Sequence, residues 1–78
     1  MGEFKFEIKK DIGVLSQNGK YSKEFKLISY NGAEPKYDIR SWTFNEETGE
    51  KTMGKGVTLS KEELKVLKAL LNDISLED

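Results

Sequence analysis

The chain has 78 residues, with 13 Lys/Arg against 14 Asp/Glu, a formal net charge of -1 and a pI of about 5.5. It contains no Cys and no His, which excludes disulfides, thiolate chemistry and Cys-ligated zinc and removes the commonest general base. A chain this short makes one domain with a small core, and without a staple such a core gains stability by self-association, so a homodimer is expected.

The first predicted strand spans about 4–17: Phe4, Phe6 and Ile8 alternate with Lys5, Glu7 and Lys9, and Ile12 to Gln17 continue it after a bend near Gly13. Met1 to Lys10 mixes charged and aromatic residues, unlike a signal peptide. No apolar run reaches the roughly 20 residues that cross a bilayer. A soluble protein of the cytoplasm, at the nucleoid, is the expectation.

Asn18-Gly19, Asn31-Gly32 and Thr48-Gly49 punctuate the chain as turns. Between them lie strands over about 23–31, 36–45 and 51–59. In the second, Phe25, Leu27 and Ser29 alternate with Lys26, Ile28 and Tyr30. In the third, Tyr37, Ile39, Ser41 and Thr43 alternate with Asp38, Arg40, Trp42 and Phe44. In the fourth, Met53, Lys55, Val57 and Leu59 alternate with Thr52, Gly54, Gly56 and Thr58. Pro35 precedes the third strand, where its missing N–H does little harm.

Ser60-Lys61-Glu62-Glu63 is a capping box. It opens a helix over about 61–73 in which Leu64, Leu67, Leu70, Leu71 and Ile74 repeat at helical spacing. Val66 widens the stripe, which suggests contact with the sheet on one side and a partner helix on the other. The fold class is α+β: a four-stranded antiparallel β-meander followed by one C-terminal α-helix.

One helix covers one sheet face and leaves the other open. On that open face the third strand presents Arg40, Trp42 and Phe44, and the Gly54-Lys55-Gly56 strand lies beside it. Rings that stack bases, at about 1–3 kcal/mol each, together with Lys and Arg that follow phosphates, make a platform for single-stranded nucleic acid. Lys26, Tyr30, Lys36 and Lys51 complete the candidate set. Bland readings stand beside these: Trp42 as packing, Arg40 paired with Asp38 or Glu24, and the glycines around Lys55 marking a bend or bulge. Charge supports the platform only weakly, since residues 1–45 carry 8 Lys/Arg and 6 Asp/Glu while residues 61–78 carry 3 and 5.

Asp38-Ile39-Arg40, Trp42, Phe44, Gly49-Glu50, Gly54-Lys55-Gly56-Val57-Thr58-Leu59 and the helix opening at Ser60 with Leu67 resemble the DNA-binding domain of the positive cofactor four family, and more nearly its short bacterial YdbC-type members. The resemblance implies a curved sheet, two chains dimerising through their helices, and DNA contacts by Arg40, Trp42 and Lys55. The chain departs from the eukaryotic pattern at Ser41-Trp42-Thr43, where the family has consecutive aromatics after Arg-Glu and one ring is missing here, and at Gly54, where a second basic residue is frequent. No counterpart of the eukaryotic Ser- and Lys-rich arm is expected.

The implied function is single-stranded-DNA binding with low sequence specificity, as an accessory factor in transcription or DNA repair. RNA is a variant of the same chemistry. The alternative is a small dimeric protein-interaction module. Asp11, Glu24, Asp38, Glu46, Glu47 and Glu50 are not ordered into a catalytic site, and no enzyme, cofactor, metal, small-molecule substrate or membrane partner is expected.

Overall fold

The computed structural model describes residues 5–76; Phe4, where the sequence starts the first predicted strand, lies outside them. The elements are β1 (Phe6–Asn18), β2 (Tyr21–Tyr30), β3 (Lys36–Asn45), β4 (Glu50–Leu59) and α1 (Lys61–Asp73). The strands form one antiparallel sheet in the order β1-β2-β3-β4. This is the α+β meander with a C-terminal helix that the alternation implies.

The turns follow from residue chemistry. Asn31 and Gly32 both take positive φ, at 53° and 78°, and Ala33 N–H donates to the Tyr30 carbonyl at 2.9 Å. Only Asn and Gly occupy that region cheaply. The Asn31 side chain then accepts from Lys5 N–H at 2.9 Å and ties down the start of β1. At the β3–β4 turn, Asn45 Oδ1 accepts from the N–H groups of Glu47 and Thr48.

Pairing assigns each side chain to a face. Ser22, Glu24, Lys26 and Ile28 of β2 stand opposite Trp42, Arg40, Asp38 and Lys36 of β3. Across β3, Asp38, Arg40, Trp42 and Phe44 meet Thr58, Gly56, Met53 and Lys51. These residues share the first face. Phe25, Leu27, Tyr37, Ile39, Val57 and Leu59 share the second, where the rings of Phe25 and Tyr37 lie 6.1 Å apart.

Two strands carry bulges that the alternation does not announce. In β1, Lys9, Ile12 and Leu15 are each inserted between paired residues, one extra residue every three positions. A bulge bends its strand and tightens its twist, so β1 bends repeatedly instead of once near Gly13. In β4 the pairing jumps from Gly56 to Met53 while β3 moves only from Arg40 to Trp42. That extra residue corrects the sequence reading: Met53 stands on the face of Trp42, opposite to Val57 and Leu59.

The helix begins with the expected box: Ser60 Oγ accepts from Glu63 N–H at 3.1 Å, and Glu63 Oε1 accepts from Ser60 N–H at 2.8 Å. Among the described elements it touches only β3 and β4, and none of its residues is buried. A groove of about 410 Å³ separates its first turn from Leu27, Pro35 and Tyr37. The radius of gyration is 14.5 Å, against about 11.5 Å for a compact chain of this length. The single chain is therefore open, with one apolar helix stripe uncovered.

Candidate nucleic-acid interface

Seven of the eight candidate residues fall on the first face: Lys26 and Tyr30 from β2, Lys36, Arg40, Trp42 and Phe44 from β3, and Lys51 from β4. They converge because strand residues two apart share a side and the β4 bulge turns Lys51 to that side. Lys55 stands apart, exposed in the bulge between Gly54 and Gly56. Lys36 and Phe44 are exposed at opposite ends of β3, and Lys36 has no ion pair among the described residues.

The glycines serve the neighbouring strand. A Cβ on Gly56 would lie 2.0 Å from Arg40 Cβ, and one on Gly54 would lie 2.8 Å from Ser41 Oγ. The missing side chains let β3 press against β4, and Arg40 Nη1 donates to the Gly54 carbonyl at 2.9 Å.

Arg40 is held firmly. Its Nε and Nη2 donate to Asp38 Oδ1 and Oδ2 at 2.8 and 2.7 Å, a bidentate pair, and Tyr30 Oη donates to Asp38 Oδ2 at 2.6 Å. Asp38 is fully buried. The paired carboxylate raises the Arg40 pKa above its ordinary value. Burial, then the bond to Asp38, pushes the Tyr30 phenol up to about 12. Of the two carboxylate partners that the sequence offers Arg40, Asp38 is the one engaged.

A second cluster surrounds Glu24, which is buried among basic groups. Its Oε2 accepts from Lys51 Nζ at 2.6 Å and from Ser22 Oγ, while its Oε1 meets Lys26 Nζ at 2.7 Å, an ion pair out of line for a hydrogen bond. Lys26 also reaches Asp11 at 3.1 Å. Burial alone would raise the Glu24 pKa; Lys26, Lys51 and Ser22 together overcome it and lower the carboxyl to about 2. Burial likewise works against the charge of Lys26, but Glu24 and Asp11 hold its pKa above the ordinary value.

Trp42 is 3% exposed, so the ring the sequence places on an open face is covered here. The Phe6 ring packs on it at 5.9 Å between centroids, and Lys26 Nζ stands 5.6 Å from its centroid, within cation–π reach. Its Nε1 is buried without a hydrogen-bond partner among the described residues.

Asp11, Glu24, Asp38 and Phe6 shape the face but were absent from the candidate set. The spacings Glu24–Lys26 and Asp38–Arg40 signal such pairs, since residues two apart on a strand are neighbours. On the helix, Leu64 and Leu67 are half-buried, while Leu70 and Leu71 are more than half exposed; Ile74, which the sequence adds to the helical stripe, is the extended C-cap residue beyond α1 and is also more than half exposed. Among the described residues no three His, Cys, Asp or Glu are grouped to hold a metal ion, and no helix is long and apolar enough to cross a membrane.

The chain is similar to an uncharacterized protein of Treponema pallidum (strain Nichols): 43% identical over 76 residues, which cover 96% of this chain and 85% of that protein. The family model for Transcriptional Coactivator p15 (PC4) matches residues 18–70, from the end of β1 into α1. That span holds all eight candidate residues, the Asp38–Arg40 pair and the Gly54-Lys55-Gly56 bulge, and the chain belongs to the PC4 family.

Proposed function

We propose that two copies of this chain form a homodimer that binds single-stranded DNA with little sequence preference. Bases stack on Phe44 and Trp42, and Lys36, Lys51, Lys55 and Arg40 contact phosphates. Membership of a family known for single-stranded-DNA binding supports this, and so does the gathering of Lys36, Arg40, Trp42, Phe44 and Lys51 on one sheet face. The latter observation carries the reading, because stacking rings interleaved with cations are what a single strand recognises and a duplex conceals. The reading makes the chain a non-enzymatic accessory factor of transcription or DNA repair in the cytoplasm, at the nucleoid. The uncovered Leu70, Leu71 and Ile74 support pairing through the helices.

The test is fluorescence anisotropy of a labelled oligo-dT at two salt concentrations, with the matching duplex as competitor. Binding should weaken with salt, because counterions are released, and the duplex should compete poorly. Oligo-U in place of oligo-dT tests RNA. The buried carboxylates Glu24 and Asp38, which neutralise cations of the same face, favour a second reading as a protein-interaction module. Its mark is the absence of binding to any oligonucleotide at micromolar protein and low salt.

A further inference from the structure

Lys51 stands on β4 opposite Phe44, and Glu24 stands on β2 opposite Arg40. Between those two rows lies the row of Trp42, flanked by Ser22 and Met53. Lys51 and Glu24 nevertheless meet at 2.6 Å. Their link therefore runs diagonally across β3 at the position of Trp42. Phe6 and Lys26 close on the same ring. Among the described residues no hydrogen bond anchors the indole itself, because Nε1 meets no acceptor.

The cations of this face are not equally committed. Arg40 is gripped by two bonds to Asp38 and one to Gly54. The Lys26 side chain is 4% exposed and lies between two carboxylates. Lys51 is held by one ion pair, and its side chain is 46% exposed. If Lys51 leaves, Glu24 keeps Lys26 and Ser22, so no buried charge is stranded. The large penalty for breaking a buried pair arises when one charge is left alone.

We infer that the Lys51–Glu24 ion pair is a strap closed over Trp42 in the free chain, and that a single strand opens it by offering Lys51 a phosphate oxygen in place of Glu24. The opening half rests on the single-strand reading above; the closure does not. One exchange frees the cation and lifts the strap from the ring, leaving Phe6 and Lys26 beside it, so stacking and phosphate contact arrive together. The closed state lowers the apparent affinity by the fraction of chains that are open.

Trp42 is the single tryptophan, so its fluorescence reports on the strap directly. Acrylamide quenching is measured without nucleic acid on the wild type, Lys51→Met and Glu24→Gln, with circular dichroism confirming the fold. The quenching constant should rise at least two-fold in both variants. Lys51→Met keeps the test decisive if Glu24→Gln fails to fold. Unchanged quenching in folded Lys51→Met overturns the closure. With labelled oligo-dT, folded Glu24→Gln should bind several-fold more tightly than the wild type, since Lys51 is no longer withheld; equal or weaker binding overturns the exchange. A wild type that ignores oligo-dT at low salt overturns the single-strand reading and the exchange with it, while the quenching comparison decides the closure independently.

Discussion

The Cβ of an alanine at position 56 would lie 2.0 Å from the Cβ of Arg40 and 2.6 Å from its Cα. A side chain at position 56 would thus collide with β3 at its backbone, and a backbone cannot swing aside as a flexible side-chain tip can. Gly56→Ala should destabilise the fold by about 2–3 kcal/mol, as overpacking does. For a chain of this size that lowers Tm by about 10 °C or more. Gly13, also in a strand, has open space where its Cβ would stand, and Gly13→Ala should leave Tm unchanged or slightly raised. Thermal melts of the two variants check the contrast.

Phe44 and Lys36 should separate binding from stability. Both are exposed in the chain, so neither substitution opens a cavity. Phe44→Ala should weaken oligo-dT binding by about 1–3 kcal/mol, the worth of one stacked base, with Tm within a few degrees of the wild type. Lys36→Ala should reduce the slope of log affinity against log salt by about 0.7, one phosphate contact on a single strand. Anisotropy titrations at four salt concentrations read both.

Acid should unfold the chain through Glu24. Its folded pKa of about 2 lies below the ordinary 4.5, so the unfolded chain binds the proton more readily. The stabilisation is complete above pH 4.5 and is lost as pH falls towards 2, amounting to about 3 kcal/mol. Tyr30 is the mirror case: its pKa of about 12 lies above the ordinary 10, so its contribution is intact below pH 10 and disappears as pH rises towards 12. Urea denaturation across both windows measures the two limbs. Glu24→Gln should flatten the acid limb and leave the alkaline one.

The helix should control oligomeric state. Leu70 and Leu71 are 56% and 54% exposed in the single chain. Burying a leucine is worth about 2 kcal/mol, and a symmetric pair buries each position twice. Leu70→Ser with Leu71→Ser should raise the dimer dissociation constant by more than a hundred-fold and shift the sedimentation coefficient to that of a monomer. A mass unchanged by the double substitution would mean that the helices do not meet.

The meander was legible because its signals are local. Asn31-Gly32 dictates a turn wherever it falls, Ser60 and Glu63 cap a helix without outside help, and the alternation from Lys36 to Phe44 places Arg40, Trp42 and Phe44 on one side. The β4 bulge was signalled by the glycines around Lys55, but the three bulges of β1 were not legible. An inserted residue at Lys9, Ile12 or Leu15 answers to the curvature of the whole sheet, and no residue type marks it. The same cause misplaced Met53, since counting by two fails after one extra residue. Packing was one reading of Trp42, but its partners were hidden for a further reason. Its burial depends on Phe6 from β1 and Lys26 from β2 meeting over β3, and pairing across strands cannot be read from any one of them.

The repeated bulges of β1 have a consequence for the sheet as a whole. β1 is an outer strand, with Ile8, Val14 and Leu15 exposed along it, the composition that invites runaway stacking of one copy on the next. Stacking requires an evenly spaced row of unpaired donors and acceptors, and an extra residue every third position destroys that spacing. The outer margin of β1 is therefore a poor template for a further strand, even though so much of its apolar surface is uncovered.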